Sequence, residues 1–198
     1  MRKAVVVVGM LVLLPWSLLA QNDQLPYPTP KAELFGGYSL VHMDGSDMNG
    51  FGVSLAGNVN KNLGIVGDFS RHQNRDSSLT ILGTAKNELT FHSFMAGPRI
   101  TDRKYKWITP FTHALFGMTR VNAKLRLSGN PATAGTTSVD EAGFSMALGG
   151  GFDVSADERY FIRLVQADYF LIRSDKIKHE GLRFSAGVLV RFGRRPEQ

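Results

Sequence analysis

Leu182-Arg183-Phe184-Ser185-Ala186-Gly187-Val188-Leu189-Val190-Arg191-Phe192 alternates two kinds of side chain with a period of two. Leu182, Phe184, Ala186, Val188, Val190 and Phe192 fall on one face, and Arg183, Ser185, Gly187, Leu189 and Arg191 on the other. Successive side chains of a strand point to opposite sides, so the segment reads as a β-strand with one apolar and one mainly polar face. Its length matches the roughly 9 to 11 residues that carry a tilted strand across a bilayer.

The same reading extends back through the chain, giving eight such stretches between Glu33 and Phe192. In Gly143 to Val154, the residues Phe144, Met146, Leu148, Gly150, Phe152 and Val154 oppose Gly143, Ser145, Ala147, Gly149, Gly151 and Asp153. In Phe51 to Val59, Phe51, Val53, Leu55, Gly57 and Val59 oppose Gly52, Ser54, Ala56 and Asn58. Leu63, Ile65, Gly67 and Phe69 oppose Gly64, Val66, Asp68 and Ser70, and Leu34, Gly36, Tyr38 and Leu40 form one face of the first strand, Glu33 to His42. In the seventh stretch Val165, Ala167, Tyr169 and Leu171 face outward if Arg163 and Arg173 snorkel to the two interfaces, and Gln166 and Asp168 then point inward. Leu89 to Ile100 and Ile108 to Val121 alternate poorly, and a bulge or bend at Pro98 or Pro110 is the expected reason.

The connections differ at the two ends. Asn58 to Asn62, Thr101 to Lys106 and Ser155 to Arg159 are brief and polar, whereas Arg71 to Glu88 and Ala123 to Glu141 read as long loops, with the shorter Met43 to Asp47 and Ser174 to Gly181 at the same end. Short turns at one end and longer loops at the other fit an outer-membrane barrel. The fold class is all-β, an eight-stranded antiparallel up-and-down transmembrane barrel. Ten strands stay open if Leu79 to Leu82 or Ala123 to Leu127 hides a further hairpin.

Residues 1–20 are set aside as a cleavable signal peptide: Arg2 and Lys3 precede the apolar run Ala4 to Leu14, and Ser17-Leu18-Leu19-Ala20 closes it. The run is shorter than the about 20 apolar residues of a spanning helix. Gln21 is the expected mature N-terminus, and residues 21–31, with Pro26, Pro28 and Pro30, read as a Pro-rich leader. The barrel then occupies 32–193 and a polar tail 194–198. The chain has no cysteine, which leaves neither a lipoprotein anchor nor a disulfide. Loss of Arg2 and Lys3 reduces the formal charge from +6 to +4, a balance that gives no nucleic-acid footprint. A mean hydropathy of -0.10 does not separate a soluble protein from a barrel whose two faces average out.

From about Lys31 to Gly193 the chain resembles the OmpA-like eight-stranded outer-membrane β-barrel family, through segments such as Phe35-Gly36-Gly37-Tyr38-Ser39, Ala96-Gly97-Pro98-Arg99 and Ala147-Leu148-Gly149-Gly150-Gly151-Phe152-Asp153. The resemblance implies residence in the outer membrane, contact with its lipid and lipopolysaccharide, and a C-terminal signal read by the barrel-assembly machinery. Ser185, Gly187, Val190 and Phe192 fill that signal, although six residues follow Phe192 where the family often stops at the aromatic.

Candidate chemistry is sparse. Asp68, Arg99, Asp153, Gln166, Asp168, Arg183 and Arg191 are assigned to a polar network inside the barrel, where charges pair with each other because a lone buried charge is costly. His42, His72, His92, His113 and His179 lack metal-ligand spacing, and no metal or cofactor is expected. His92 and Ser93 invite comparison with lipid A-modifying barrel enzymes, but strand neighbours point to opposite faces, so no catalytic residue is expected. Asp153, Asp157 and Glu158 are assigned to solvating a turn. Gly149-Gly150-Gly151 is not a phosphate cradle, having no helix or lysine after it, and is assigned to curvature or close packing. Tyr38, Phe69, Phe111, Phe144, Phe152, Tyr160, Tyr169 and Phe192 are expected in interfacial girdles. The expected role is structural or adhesive, through outer loops with an unknown partner, and slow small-solute permeation is the second reading. A secreted lipocalin-like binding barrel is the alternative from another class, distinguished by which face is polar.

Overall fold

A computed structural model of the protein describes residues 29–43, 45–80, 83–105, 107–129, 135–174 and 178–194. Residues 1–20, read as a signal peptide, and most of the stretch read as a leader lie outside these residues, as do those beyond Arg194. The described residues form eight strands: β1 Pro30–Met43, β2 Ser46–Asn58, β3 Leu63–Thr80, β4 Gly83–Thr101, β5 Ile108–Gly129, β6 Gly135–Ser155, β7 Tyr160–Arg173 and β8 Lys178–Arg194. Each pairs antiparallel with the next, and β8 returns to β1 from Met43↔Gly181 to Pro30↔Arg194, closing the barrel. Closure leaves no unpaired edge around the belt, the condition for a sheet surrounded by lipid.

The alternation of the sequence becomes inside and outside. Leu34, Tyr38, Phe51, Val53, Leu55, Ile65, Phe144, Phe184, Val188 and Phe192 are exposed on the outer wall, while Phe35, Ser54, Ala56, Val66, Ser145, Ala147, Arg183 and Leu189 are buried within. At the short-turn end Tyr105, Trp107 and Tyr160 are also exposed, an aromatic fringe on the same surface. A soluble ligand-binding barrel has the reverse arrangement, with its polar face outward.

Five expectations are corrected. Arg163 does not snorkel outward. Asp153 pairs with Arg163 and Phe152 with Val165, so Leu164 is an extra residue, and Leu164 and Val165 both face out. This bulge reverses the parity of β7 and lets Arg163 meet Asp153 inside, where a charge with a partner is far less costly than one against lipid. Arg173 does lie outside.

Second, Pro98 and Pro110 mark no bulge: β4 and β5 hold one register from Gly83↔Gly129 to Thr101↔Phe111, and β5 and β6 from Ile108↔Val154 to Leu127↔Gly135. The poor alternation there arises because Phe91, Met95, Phe111 and Leu115 are buried in the lumen beside Ser93, Arg99 and His113, whereas Arg120 is exposed outside. Third, Phe111 therefore leaves the interfacial set.

Fourth, Arg71 to Glu88 and Ala123 to Glu141 are largely strand. β3 and β4 stay paired up to Thr80↔Gly83, β4 and β5 up to Gly83↔Gly129, and β5 and β6 up to Leu127↔Gly135, so a four-stranded wall rises past the rest of the barrel. Of the candidate extra hairpins, Ala123 to Leu127 lies within β5 and Leu79 and Thr80 end β3, while Ile81 and Leu82 lie outside the described residues. Fifth, the first strand begins at Pro30, inside the stretch read as leader. At the same end as the wall, Met43↔Ser46 closes the β1–β2 hairpin with Gly45 at φ +77°, a left-handed conformation in which a side chain would be strained.

Candidate functional site

The lumen holds the chain's densest chemistry. Arg163 donates from Nε to Asp153 Oδ1 at 2.8 Å and from Nη1 to Gln166 Oε1 at 2.7 Å. Gln166 Nε2 donates to Asp168 Oδ2 at 2.8 Å, and the same carboxylate receives Arg183 Nε at 2.9 Å. His113 Nε2 lies 2.8 Å from Asp168 Oδ1. Arg183 then bridges across the barrel, donating from Nη1 to Asp68 Oδ1 at 2.8 Å and to Ser70 Oγ at 3.3 Å. One connected chain of bonds thus ties β3, β5, β6, β7 and β8 through the interior.

Nearer the short turns a second cluster gathers on Glu33. Arg99 Nη2 bonds one carboxylate oxygen, and Arg103 Nη2 at 3.0 Å and Arg191 Nε at 3.2 Å face the other. Arg103 comes from the turn after β4 and also donates to Asn58 Oδ1 at 3.1 Å, so the turn is latched into the barrel floor. Burial pushes the Arg103 guanidinium down to about 10, and the Asp153 charge opposes that shift. Five buried arginines, Arg99, Arg103, Arg163, Arg183 and Arg191, thus meet four acids, Glu33, Asp68, Asp153 and Asp168, all with nearly or wholly buried side chains.

Aromatic rings share the work. The Arg163 guanidinium lies 4.3 Å from the ring centroids of both Phe35 and Phe111, Arg191 lies 3.5 Å over Phe161, and Arg183 is 5.7 Å from Phe170. A ring face attracts a cation most strongly where water is excluded. The interior phenylalanines are therefore part of the charge network, a role that period-two reading cannot see because alternation assigns a face and no partner. Toward the wall end buried apolar side chains pack together, among them Val41, Met43, Met48, Phe91, Phe170 and Ile172.

All seven residues assigned to the polar network, Asp68, Arg99, Asp153, Gln166, Asp168, Arg183 and Arg191, line this lumen. Sequence reading missed Glu33, Arg103, Arg163 and His113, and the only hint was the shared inward parity of Glu33 and Phe35. Asp153 pairs with Arg163 and does not join the turn, where Asp157 Oδ1 accepts from the Glu158 amide at 2.7 Å. His92 is half-buried on the outer face, while Ser93 is buried inside, bonded to Thr119 at 2.8 Å, so the two cannot form a dyad. His72 Nε2 meets Ser39 Oγ at 2.9 Å, and Ser39 meets Ser185 at 2.9 Å. Among the described residues no three His, Asp or Glu gather to hold a metal. Gly149 gives space to Asp168: a Cβ there would strike Asp168 Oδ1 and the Ala167 carbonyl, and one at Gly151 would meet the Phe111 ring at 3.1 Å. Of the assembly-signal residues, Ser185 and Gly187 are on the lumen side and Val190 and Phe192 on the outer wall.

No protein-family model and no curated protein sequence matches the chain. Solved structures do. Ail, the attachment invasion locus protein of Yersinia pestis, in complex with the heparin analogue sucrose octasulfate, aligns with a TM-score of 0.54 at 20% identity over 81% of this chain and 99% of Ail. Neisserial surface protein A aligns with a TM-score of 0.56 at 16% identity over 81% and 96%, and the outer membrane protein OprG from Pseudomonas aeruginosa with 0.51 at 12% identity over 86% and 99%. At such identities the likeness carries the architecture alone, and that architecture agrees with the closed register, the apolar outer wall and the polar lumen: the chain has the fold of the small eight-stranded outer-membrane β-barrels.

Proposed function

We propose that the protein is an integral outer-membrane barrel with no catalytic centre, whose work is done by the four-stranded wall of β3–β6 at the cell surface. The observation that carries this reading is the pairing of an apolar outer belt with a lumen crossed by its own paired charges, beneath strands that continue beyond the belt. The belt needs lipid around it. The filled lumen argues against permeation as the main role, because an eight-stranded barrel has just enough room for its own side chains and here Arg163 is clamped between two rings. What remains exposed to a partner is the wall, in an adhesive or structural role. On this reading the turns after β2, β4 and β6 face the periplasm, and Ser185, Gly187, Val190 and Phe192 are presented to the assembly machinery on the last strand. The likeness to Ail, the attachment invasion locus protein, supports a surface role without naming a partner.

The test compares the full protein with a variant in which residues 77–84 and 126–136 are each replaced by Asn-Gly. Both chains should show a fast-migrating band in detergent that slows on boiling, and both should give no steady current in a planar bilayer. Attachment of expressing cells to host-cell monolayers should fall to the level of non-expressing cells for the shortened chain only. Equal attachment by both would remove the wall from the function, and a steady current would restore permeation.

A further inference from the structure

Charge does not balance along the lumen. In its upper part Arg183 stands between Asp68 and Asp168, and below it Arg163 is paired with Asp153. Asp168 is further satisfied by Gln166 and His113, so these acids have their partners. At the floor Arg99, Arg103 and Arg191 converge on Glu33, and three positive charges share one negative charge. The remaining buried carboxylate at that end, Asp102, accepts from the Lys104 amide at 3.1 Å and forms no ion pair with an arginine among the described residues. Even with Asp102 counted, one positive charge at the floor has no counterpart. Arg99 and Arg103 are 2% and 4% exposed, and the Nε–H of each is buried without a hydrogen-bond partner among the described residues. A charge taken out of water is costly unless it is paired and its donors are used. A pocket of about 430 Å³ reaches Arg191 from the same end, with Arg159 and Arg194 exposed along it beside Glu158.

We propose that the barrel floor binds a small monovalent inorganic anion of the chloride type at the buried Nε–H groups of Arg99 and Arg103, beside Arg191. The charge count and the donor set argue for that ligand together. One negative charge cancels the surplus, whereas a divalent anion would exceed it. A halide accepts N–H groups from any direction, so single donors from two arginines suffice for it. Phosphate is matched by forked donors, and the fork of Arg103 is already taken by Glu33, Asn58 and the Lys61 carbonyl. The exposed Arg159 and Arg194 enrich anions at the entrance. Held there, the anion completes the charge pairing of the floor and fastens the turn after β4, which carries Arg103, to the barrel.

The test follows thermal unfolding of the full protein, refolded in non-ionic detergent micelles, by circular dichroism. Sodium chloride and sodium gluconate are compared at one ionic strength of about 0.15 M, so that screening is the same in both. Chloride should raise the midpoint by about 5 °C over gluconate, as expected for a ligand present at tens of times its dissociation constant. Arg103→Gln removes the surplus charge and one of the two donors, and should lose that difference. Arg159→Gln, Arg194→Gln alters the exposed entrance alone and should keep it. Equal midpoints in the two salts for the unaltered chain would overturn the site, as would an undiminished difference in Arg103→Gln. Crystals of the unaltered chain grown in bromide give a reading that needs no variant: anomalous density is expected at the Nε atoms of Arg99 and Arg103. Its absence, or density only against Arg159 and Arg194, would overturn the proposal.

Discussion

Glu33→Gln should destabilise the barrel by about 3–5 kcal/mol, the range for removing one partner of a buried ion pair. Glu33 is the carboxylate that Arg99, Arg103 and Arg191 share, and its side chain is 1% exposed. Replacing it with a neutral amide leaves three guanidinium groups without the carboxylate they share, and the Asp153 charge that also acts on Arg103 offsets them only in part, so the cost falls on the folded state. The turn after β4 should loosen as well, because Arg103 loses its anionic anchor and keeps only Asn58 and the Lys61 carbonyl. The measurement is urea unfolding of the refolded protein in detergent micelles. The midpoint should fall while the slope stays the same, since the surface exposed on unfolding is unchanged. An unchanged midpoint would mean that this end of the lumen is wet enough to solvate the three arginines, and the account of a sealed plug would fail.

The second large effect belongs to Arg183. It joins Asp68 on one side of the lumen to Asp168 on the other, and Arg183→Met leaves both carboxylates inside with a side chain of similar length and no charge. Asp168 keeps Gln166 and His113, whereas Asp68 loses its ion-pair partner. The expected loss is again about 3–5 kcal/mol. The discriminating result lies in the double variant Arg183→Met, Asp68→Asn, which should recover about 1 kcal/mol or more of that loss, because the unpaired charge that causes it has been removed. Simple additivity of the two substitutions would show that the pair is not coupled and that Arg183 acts by filling space alone.

Local pattern and cross-barrel contact contributed differently to these results. Period-two alternation in Phe51 to Val59, Gly143 to Val154 and Leu182 to Phe192 was enough to assign strands, faces and a closed eight-stranded barrel, because the side-chain period of a strand is a property of the backbone and needs no partner. It also placed Asp68, Asp153, Asp168, Arg183 and Arg191 on the inner face. It failed where a residue's side is chosen by what stands opposite. Arg163 enters the lumen through a bulge at Leu164 because Asp153 is there to receive it, and Phe111 and Phe161 turn inward as faces for buried arginines. The long polar stretches were read as loops because exposed strands beyond a belt have no apolar face to alternate against, and only their pairing as far as Thr80↔Gly83 and Leu127↔Gly135 makes them a wall. The sequence by itself thus determined the strands, their two faces and the closed barrel, since these follow from a periodicity carried by each segment alone. Which charges meet, which rings hold them and how far the strands rise were decided by the tertiary structure, since each depends on contacts between residues distant in the chain.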